Sequence, residues 1–265
     1  MPELTLPAPT FARTVRGRTG PGLLLAHGAG GGIEANYGPI LDALADAHRV
    51  VGIDYPGTGG TPRSAEPLRL DDLADQLVSA ADAEGLDTFT AVGYSLGTAV
   101  AVRAAARHPE RITGLVLTAP LARPTARLRL HAEHWRDLYA AGAHAELARF
   151  LVSLALGATV LEALPGEEVE AVVRGTAETL PPGSAEHADL ATRVDVREDL
   201  ARITVPTLVI STLEDLLVSP DLHREVAEGI PGAERVDLAT GHLPFAEDRE
   251  GWLGRITEFL ERHGL

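Results

Sequence analysis

The sequence predicts an α/β protein with a mostly parallel central sheet flanked by helices and broken by one long helical insertion. Three observations predict it. Short, continuous apolar runs recur in the manner of buried parallel strands, and stretches of helical spacing lie between them. The alternation breaks near Pro120, and the strand pattern resumes at Val205.

In order, residues 11–16 alternate like an edge strand, and Gly22-Leu23-Leu24-Leu25-Ala26 is a buried strand ending in His27-Gly28-Ala29-Gly30-Gly31-Gly32. Residues 37–47 carry Ile40, Leu41 and Leu44 at helical spacing, and Arg49-Val50-Val51-Gly52-Ile53-Asp54 is the next strand. The segment 55–62, rich in Gly, Thr and Pro, is loop. Residues 70–84 form an amphipathic helix with Leu73, Leu77, Ala80 and Ala81 inside and Asp71, Asp72 and Asp75 outside. A strand at 88–92, a helix at 97–107 and a strand at 112–117 follow. Strand and helix alternate throughout, as in layered folds with right-handed crossovers.

From 121 to 200 no strand pattern is present. Helical stripes replace it: Trp135, Leu138 and Tyr139; Leu147, Phe150, Leu151 and Leu154; Val169, Val172 and Val173. The strand at 205–211, a helix at 221–228, a strand at 235–238 and a closing helix at 251–262 complete the chain.

Composition narrows the function. The 265 residues are 45% hydrophobic and 23% charged, enough for one large core. With 23 Lys and Arg against 38 Asp and Glu, the net charge of −15 would repel nucleic acid and anionic membrane surfaces. There is no cysteine, which removes disulfides, thiolate metal sites and cysteine nucleophiles. Met1–Pro9 has neither the basic region nor the apolar run of a secretory signal, and no window is apolar enough to span a membrane. A cytoplasmic protein is expected.

Gly93-Tyr94-Ser95-Leu96-Gly97 lies between the strand at 88–92 and the helix at 97–107. This is the Gly-x-Ser-x-Gly turn, whose sharp reversal leaves no room for a Cβ at the glycines and raises the serine hydroxyl at the sheet's carboxyl edge. The N-terminus of the following helix favours a developing anion there. Asp215 and His242 each follow a later predicted strand, giving the chain order Ser, Asp, His. A hydroxyl needs an adjacent base, and the imidazole needs a carboxylate to fix its tautomer. His27-Gly28-Ala29 is placed to give an oxyanion donor.

His27-Gly28, Asp54-Tyr55-Pro56-Gly57-Thr58-Gly59, Gly93-Tyr94-Ser95-Leu96-Gly97, Asp215 and Gly241-His242 together resemble the capped α/β-hydrolase-fold serine hydrolases, over nearly the whole chain. The resemblance implies Ser95 as nucleophile, His242 as general base and acid, and Asp215 as orienting carboxylate. It also implies backbone N–H groups of Ala29 and Leu96 as the oxyanion hole. Residues 1–120 and 201–265 would form the core, and 121–200 a cap over the site. Neither cofactor nor metal is implied, and the partner is a small-molecule substrate.

Other readings weigh less. Glu214 competes with Asp215, but Asp215 has the family's spacing to Val218. His27 reads as a brace for its loop. His131 and His134 lack an evident third ligand and read as a solvated helix face, and Arg123, Arg127 and Arg129 likewise read as solvated. Asp71-Asp72 and Glu167-Glu168 read as solvated faces. Gly28-Ala29-Gly30 and Gly57-Thr58-Gly59 lack the third glycine of a dinucleotide fingerprint.

A serine rather than an aspartate at the turn argues against dehalogenase and epoxide-hydrolase chemistry. Ala29 and Leu96 depart from the bulky aromatic and methionine of perhydrolase-like relatives. The expected reaction is hydrolysis of a carboxylic ester or thioester of a small, apolar substrate through an acyl-enzyme on Ser95. The alternatives are a lactone or C–C bond hydrolase or cyclase, and a non-catalytic small-molecule receptor that keeps the triad. With only 2 Trp, 4 Tyr and 5 Phe, a pocket lined by Leu, Val and Ala is expected.

Overall fold

The computed structural model describes residues 11–265. The reading of Met1–Pro9 therefore lies outside the described residues.

Seven strands form one sheet: β1 (Arg13–Arg16), β2 (Gly22–Ala26), β3 (Arg49–Ile53), β4 (Phe89–Tyr94), β5 (Ile112–Thr118), β6 (Thr207–Thr212) and β7 (Glu234–Leu238). Their order is β1-β3-β2-β4-β5-β6-β7, with β1 antiparallel to β3 and every other pair parallel. The chain leaves β2 to one side for β3 and returns on the other side as β4. That puts a topological switch point between the carboxyl ends of β2 and β4, where open α/β sheets form binding crevices.

The side-chain period of two divides the strand residues between two cores. Leu24, Val51, Ala91, Leu115 and Val209 face α2 (Leu70–Ala83) and α3 (Leu96–Arg107). Leu23, Leu25, Val50, Val92 and Val116 face α1 (Ile33–Ala45) and α12 (Arg249–His263). Both faces are covered, so the central strands read as unbroken apolar runs.

Between β5 and β6 the chain is helical: α4 (Ala126–Ala140), α5 (His144–Ala155), α6 (Ala158–Ala163), α7 (Gly166–Thr179), α8 (Ser184–Arg193) and α9 (Arg197–Leu200). After β6 come α10 (Pro220–Gly229) and, beyond β7, α11 (Pro244–Glu247) and α12. No described helix is long and apolar enough to cross a membrane.

Two local expectations need correction. The helix expected at 37–47 is α1, which begins at Ile33, because Asp54 Oδ1 accepts the Ile33 N–H at 2.9 Å and satisfies its first turn from 21 residues away. Asp71 is no freely solvated charge. It accepts from Arg103 at 2.7 Å and lies 3.4 Å from Arg107, tying α2 to α3. Glu167 and Glu168, by contrast, are exposed in the first turn of α7, where negative charge suits the helix dipole.

Candidate active site

Ser95 stands between β4 and α3 with φ 53° and ψ −121°, a left-handed conformation that a residue with a Cβ adopts at a cost of about 1–3 kcal/mol. Its neighbours over-determine that turn. The Ser95 N–H donates to Thr118 O at 2.9 Å, and Ser95 O accepts from Thr98 N and Thr98 Oγ1 at 2.9 and 2.6 Å. A Cβ on Gly93 would meet Gly97 O at 2.5 Å, and one on Gly97 would run into the Ala26 carbonyl. The turn closes only with glycine at both places.

The loops after β4, β6 and β7 bring three buried side chains together. His242 Nε2 lies 2.9 Å from Ser95 Oγ, and His242 Nδ1 lies 2.6 Å from Asp215 Oδ2. An ionised Asp215 accepts from Nδ1–H, so Nε2 is left unprotonated to accept from the serine hydroxyl. Asp215 Oδ1 takes the N–H groups of Leu217 and Val218 at 2.9 and 2.8 Å, and Thr212 Oγ1 donates to Oδ2 at 3.0 Å. Glu214, its sequence neighbour, turns away and accepts from Thr159 N and Oγ1 at 2.8 and 2.6 Å. His242 is held in turn by Tyr94, whose hydroxyl donates to His242 O at 2.7 Å, and by Glu247, which accepts the Gly241 N–H at 2.8 Å. Burial raises both the Tyr94 phenol and the Glu247 carboxyl above their ordinary pKa values.

The loop after β2 is braced from several directions. His27 Nδ1 donates to Gly28 O at 2.8 Å, and its Nε2 accepts the Tyr55 N–H at 3.0 Å, which fixes one neutral tautomer. Burial, then the nearby His187 ring, lowers its pKa to about 3. Gly28 N–H donates to Asn36 Oδ1 at 3.0 Å. The N–H groups of Ala29 and Leu96 have no hydrogen-bond partner among the described residues, and both residues line the space beside Ser95. Two unpaired donors beside a nucleophile are what an oxyanion requires.

Ser95 opens onto two chambers. The smaller, about 30 Å³, is walled by Leu96, Leu121, Leu128, Ala132, Ala188 and Val218. The larger, about 160 Å³, holds His242 and Tyr94 together with Asn36, Thr176, Leu151 and Leu180. Ala29, Trp135 and Leu217 border both. The expected aliphatic lining from the inserted helices is present, and Trp135, Thr176 and Thr179 add to it.

Sequence reasoning missed three buried residues. Asn36 holds Gly28, as described. His223 on α10 pairs its Nδ1 with Ser211 Oγ at 3.1 Å and sets its Nε2 3.8 Å from Asp215 Oδ2. Burial lowers its pKa to about 4 against the upward pull of Asp215. His187 on α8 accepts the Gly30 N–H at Nδ1 (3.1 Å) and donates from Nε2 to Pro56 O (3.0 Å). No motif marks any of the three: Asn36 reaches back 8 residues to Gly28, His223 back 12 to Ser211, and His187 across 157 to Gly30. Of the residues read as solvated, His131 and His134 set their rings edge-on to Phe150, and Arg129 donates to Thr192 O at 2.9 Å.

Residues 21–249 match the family model of the alpha/beta hydrolase fold, so the chain belongs to the α/β-hydrolase fold family. It is 34% identical over 243 residues, 91% of each chain, to pyrrolizixenacetamide deacetylase of Xenorhabdus hominickii. It is 28% identical over 251 residues to a pimeloyl-[acyl-carrier protein] methyl ester esterase of Neisseria meningitidis, covering 89% of this chain and 92% of that one. Among solved structures, MGS-M2, an alpha/beta hydrolase from a deep-sea metagenome library, superposes with a TM-score of 0.86 at 19% identity, over 95% of this chain and 94% of its own. The chain is thus a hydrolase of the ester and amide class.

Proposed function

We propose that the protein is a serine acyl hydrolase that removes a short acyl group from a larger alcohol, thiol or amine, with Ser95, His242 and Asp215 as its triad. Ser95 Oγ attacks the acyl carbonyl while its proton passes to His242 Nε2, and the Ala29 and Leu96 N–H groups receive the oxyanion. The imidazolium, stabilised by Asp215, then protonates the departing atom. Water activated by the same nitrogen attacks the acyl-enzyme and releases the acid.

One observation carries the assignment of the two halves of the substrate. The leaving atom takes its proton from His242, and His242 lines the larger chamber and not the smaller. The leaving group therefore occupies the larger space, and the acyl group points into the smaller. A cavity of about 150 Å³ holds benzene and one of about 10–15 Å³ holds a water, so the 30 Å³ chamber suits an acyl tail of one or two carbons. The deacetylase relative, which by its name works on an acetamide, supports the same reading.

The test is hydrolysis of p-nitrophenyl esters from acetate to decanoate, beside an acetyl thioester and an acetanilide, by wild type and Ser95→Ala. Intact mass is taken after treatment with a fluorophosphonate probe. The expected result is a one-probe adduct on Ser95, an optimum at the shortest acyl chains, and loss of both in Ser95→Ala. An optimum at octanoate or longer would overturn the chamber assignment, and absence of both labelling and turnover would overturn the hydrolase reading of Ser95, leaving a receptor.

A further inference from the structure

Below the first turn of α8 the inserted helices are joined to the loop that carries Ala29. Gly30 there has φ +65°, and its N–H donates to His187 Nδ1 at 3.1 Å. On its other side the Trp135 ring of α4 occupies the space a Cβ would need. Trp135 is fixed by its Nε1–H donating to Ser184 Oγ at 2.8 Å, also on α8. The imidazole of His187 is itself oriented: Nε2–H donates to Pro56 O at 3.0 Å, beside the Gly183 N–H bond to Gly57 O at 2.9 Å. An ion pair from Arg63 to Glu186 closes the same seam.

We propose that His187 is a positioning residue for the oxyanion side of the active site, acting through the Gly30 N–H on the neighbouring Ala29 peptide. It borders neither chamber, so it reaches substrate only through that loop. The two bonds use its two nitrogens in opposite senses, which requires the neutral ring with the proton on Nε2. An acceptor at Nδ1 is what holds the Gly30 peptide. Without it, that N–H can turn, and Ala29 turns with it. The inserted helices therefore complete the catalytic loop as well as covering it. The inference rests on the hydrolase reading above, in which Ala29 supplies an oxyanion donor.

Two substitutions separate the two bonds. His187→Asn sets an amide oxygen near the Nδ1 position, keeping the Gly30 acceptor and losing the Pro56 bond. His187→Gln sets its amide nitrogen near the Nε2 position, keeping the Pro56 bond and losing the Gly30 acceptor. With p-nitrophenyl acetate, His187→Gln is expected to lower kcat by about tenfold to a hundredfold with little change in KM, the range for a misplaced catalytic group. His187→Asn is expected to keep most of kcat, although both variants lose melting temperature. Equal kcat in the two variants, or a loss confined to KM, would overturn the proposal. Hydrogen–deuterium exchange of the peptide spanning residues 27–32 gives a readout that needs no turnover. Faster exchange in His187→Gln than in His187→Asn supports the proposal even if the acyl-hydrolase reading fails, and equal exchange overturns it.

Discussion

Asp215 and His242 meet at 2.6 Å with the carboxylate already saturated on its far side by the Leu217 and Val218 N–H groups. The acid is thus held by contacts independent of the imidazole, and it dictates which imidazole nitrogen carries the proton. Asp215→Asn keeps the size but presents an amide that stabilises the wrong tautomer. Its kcat is expected to fall by about 10³–10⁴, as tautomer loss does in other triads, with KM little changed. Steady-state kinetics on p-nitrophenyl acetate checks this, and a loss under tenfold would remove Asp215 from its role.

The strained turn at Ser95 gives a second expectation. In Gly97→Ala the new methyl meets the Ala26 carbonyl, which is backbone and cannot swing away. The start of α3 must shift, moving the Leu96 N–H and the serine together. Stability is expected to drop by at least about 1–3 kcal/mol, the overpacking range, and fluorophosphonate labelling of Ser95 to slow more than the melting temperature accounts for. Labelling at the wild-type rate would show that the turn tolerates the displacement.

Leu128 on α4 walls the smaller chamber and lies in a buried cluster with Leu121, Val218 and Leu222. Leu128→Ala removes three carbons from that wall. The acyl-length optimum is expected to move from acetate towards butyrate or hexanoate, at a cost in stability of about 2–5 kcal/mol. An unchanged optimum would mean that the acyl group lies elsewhere.

Acid stability follows from three buried histidines. Burial lowers His27 to about 3, and His187 and His223 to about 4. In the unfolded chain each would titrate near 6.5. Between 6.5 and 4 the unfolded chain binds protons that the folded one refuses, so stability is full above 6.5 and falls as pH falls through that window. Three such groups give a slope of up to about 4 kcal/mol per pH unit, steep against a total stability of about 5–15 kcal/mol. Melting temperature measured from pH 7.5 to 4.5 is expected to decline steeply below 6.5, and less steeply in His223→Phe. A flat profile would mean that these rings take up protons in the folded state.

The helical stripes at Trp135, Leu147 and Val169 were legible because they are local and amphipathic, and α6 and α8 were not. α6 has no buried residue, and α8 buries Ser184, His187 and Thr192 beside Ala188 and Leu190, so neither writes an apolar stripe. Asp71 reads as solvated from sequence because its partners Arg103 and Arg107 lie more than 30 residues on, a full strand and turn away.

By itself the sequence determined the alternating strands and helices, the glycines that permit the Ser95 turn, and the chain order of serine, aspartate and histidine. These depend on backbone sterics and hydrophobic period, which act within a few residues. Tertiary structure alone decided that Glu214 turns away to Thr159, that His187 holds Gly30, and that Ser95 opens onto one small and one larger chamber. Each is set by packing between segments tens of residues or more apart, and short-range pattern carries no record of such contacts.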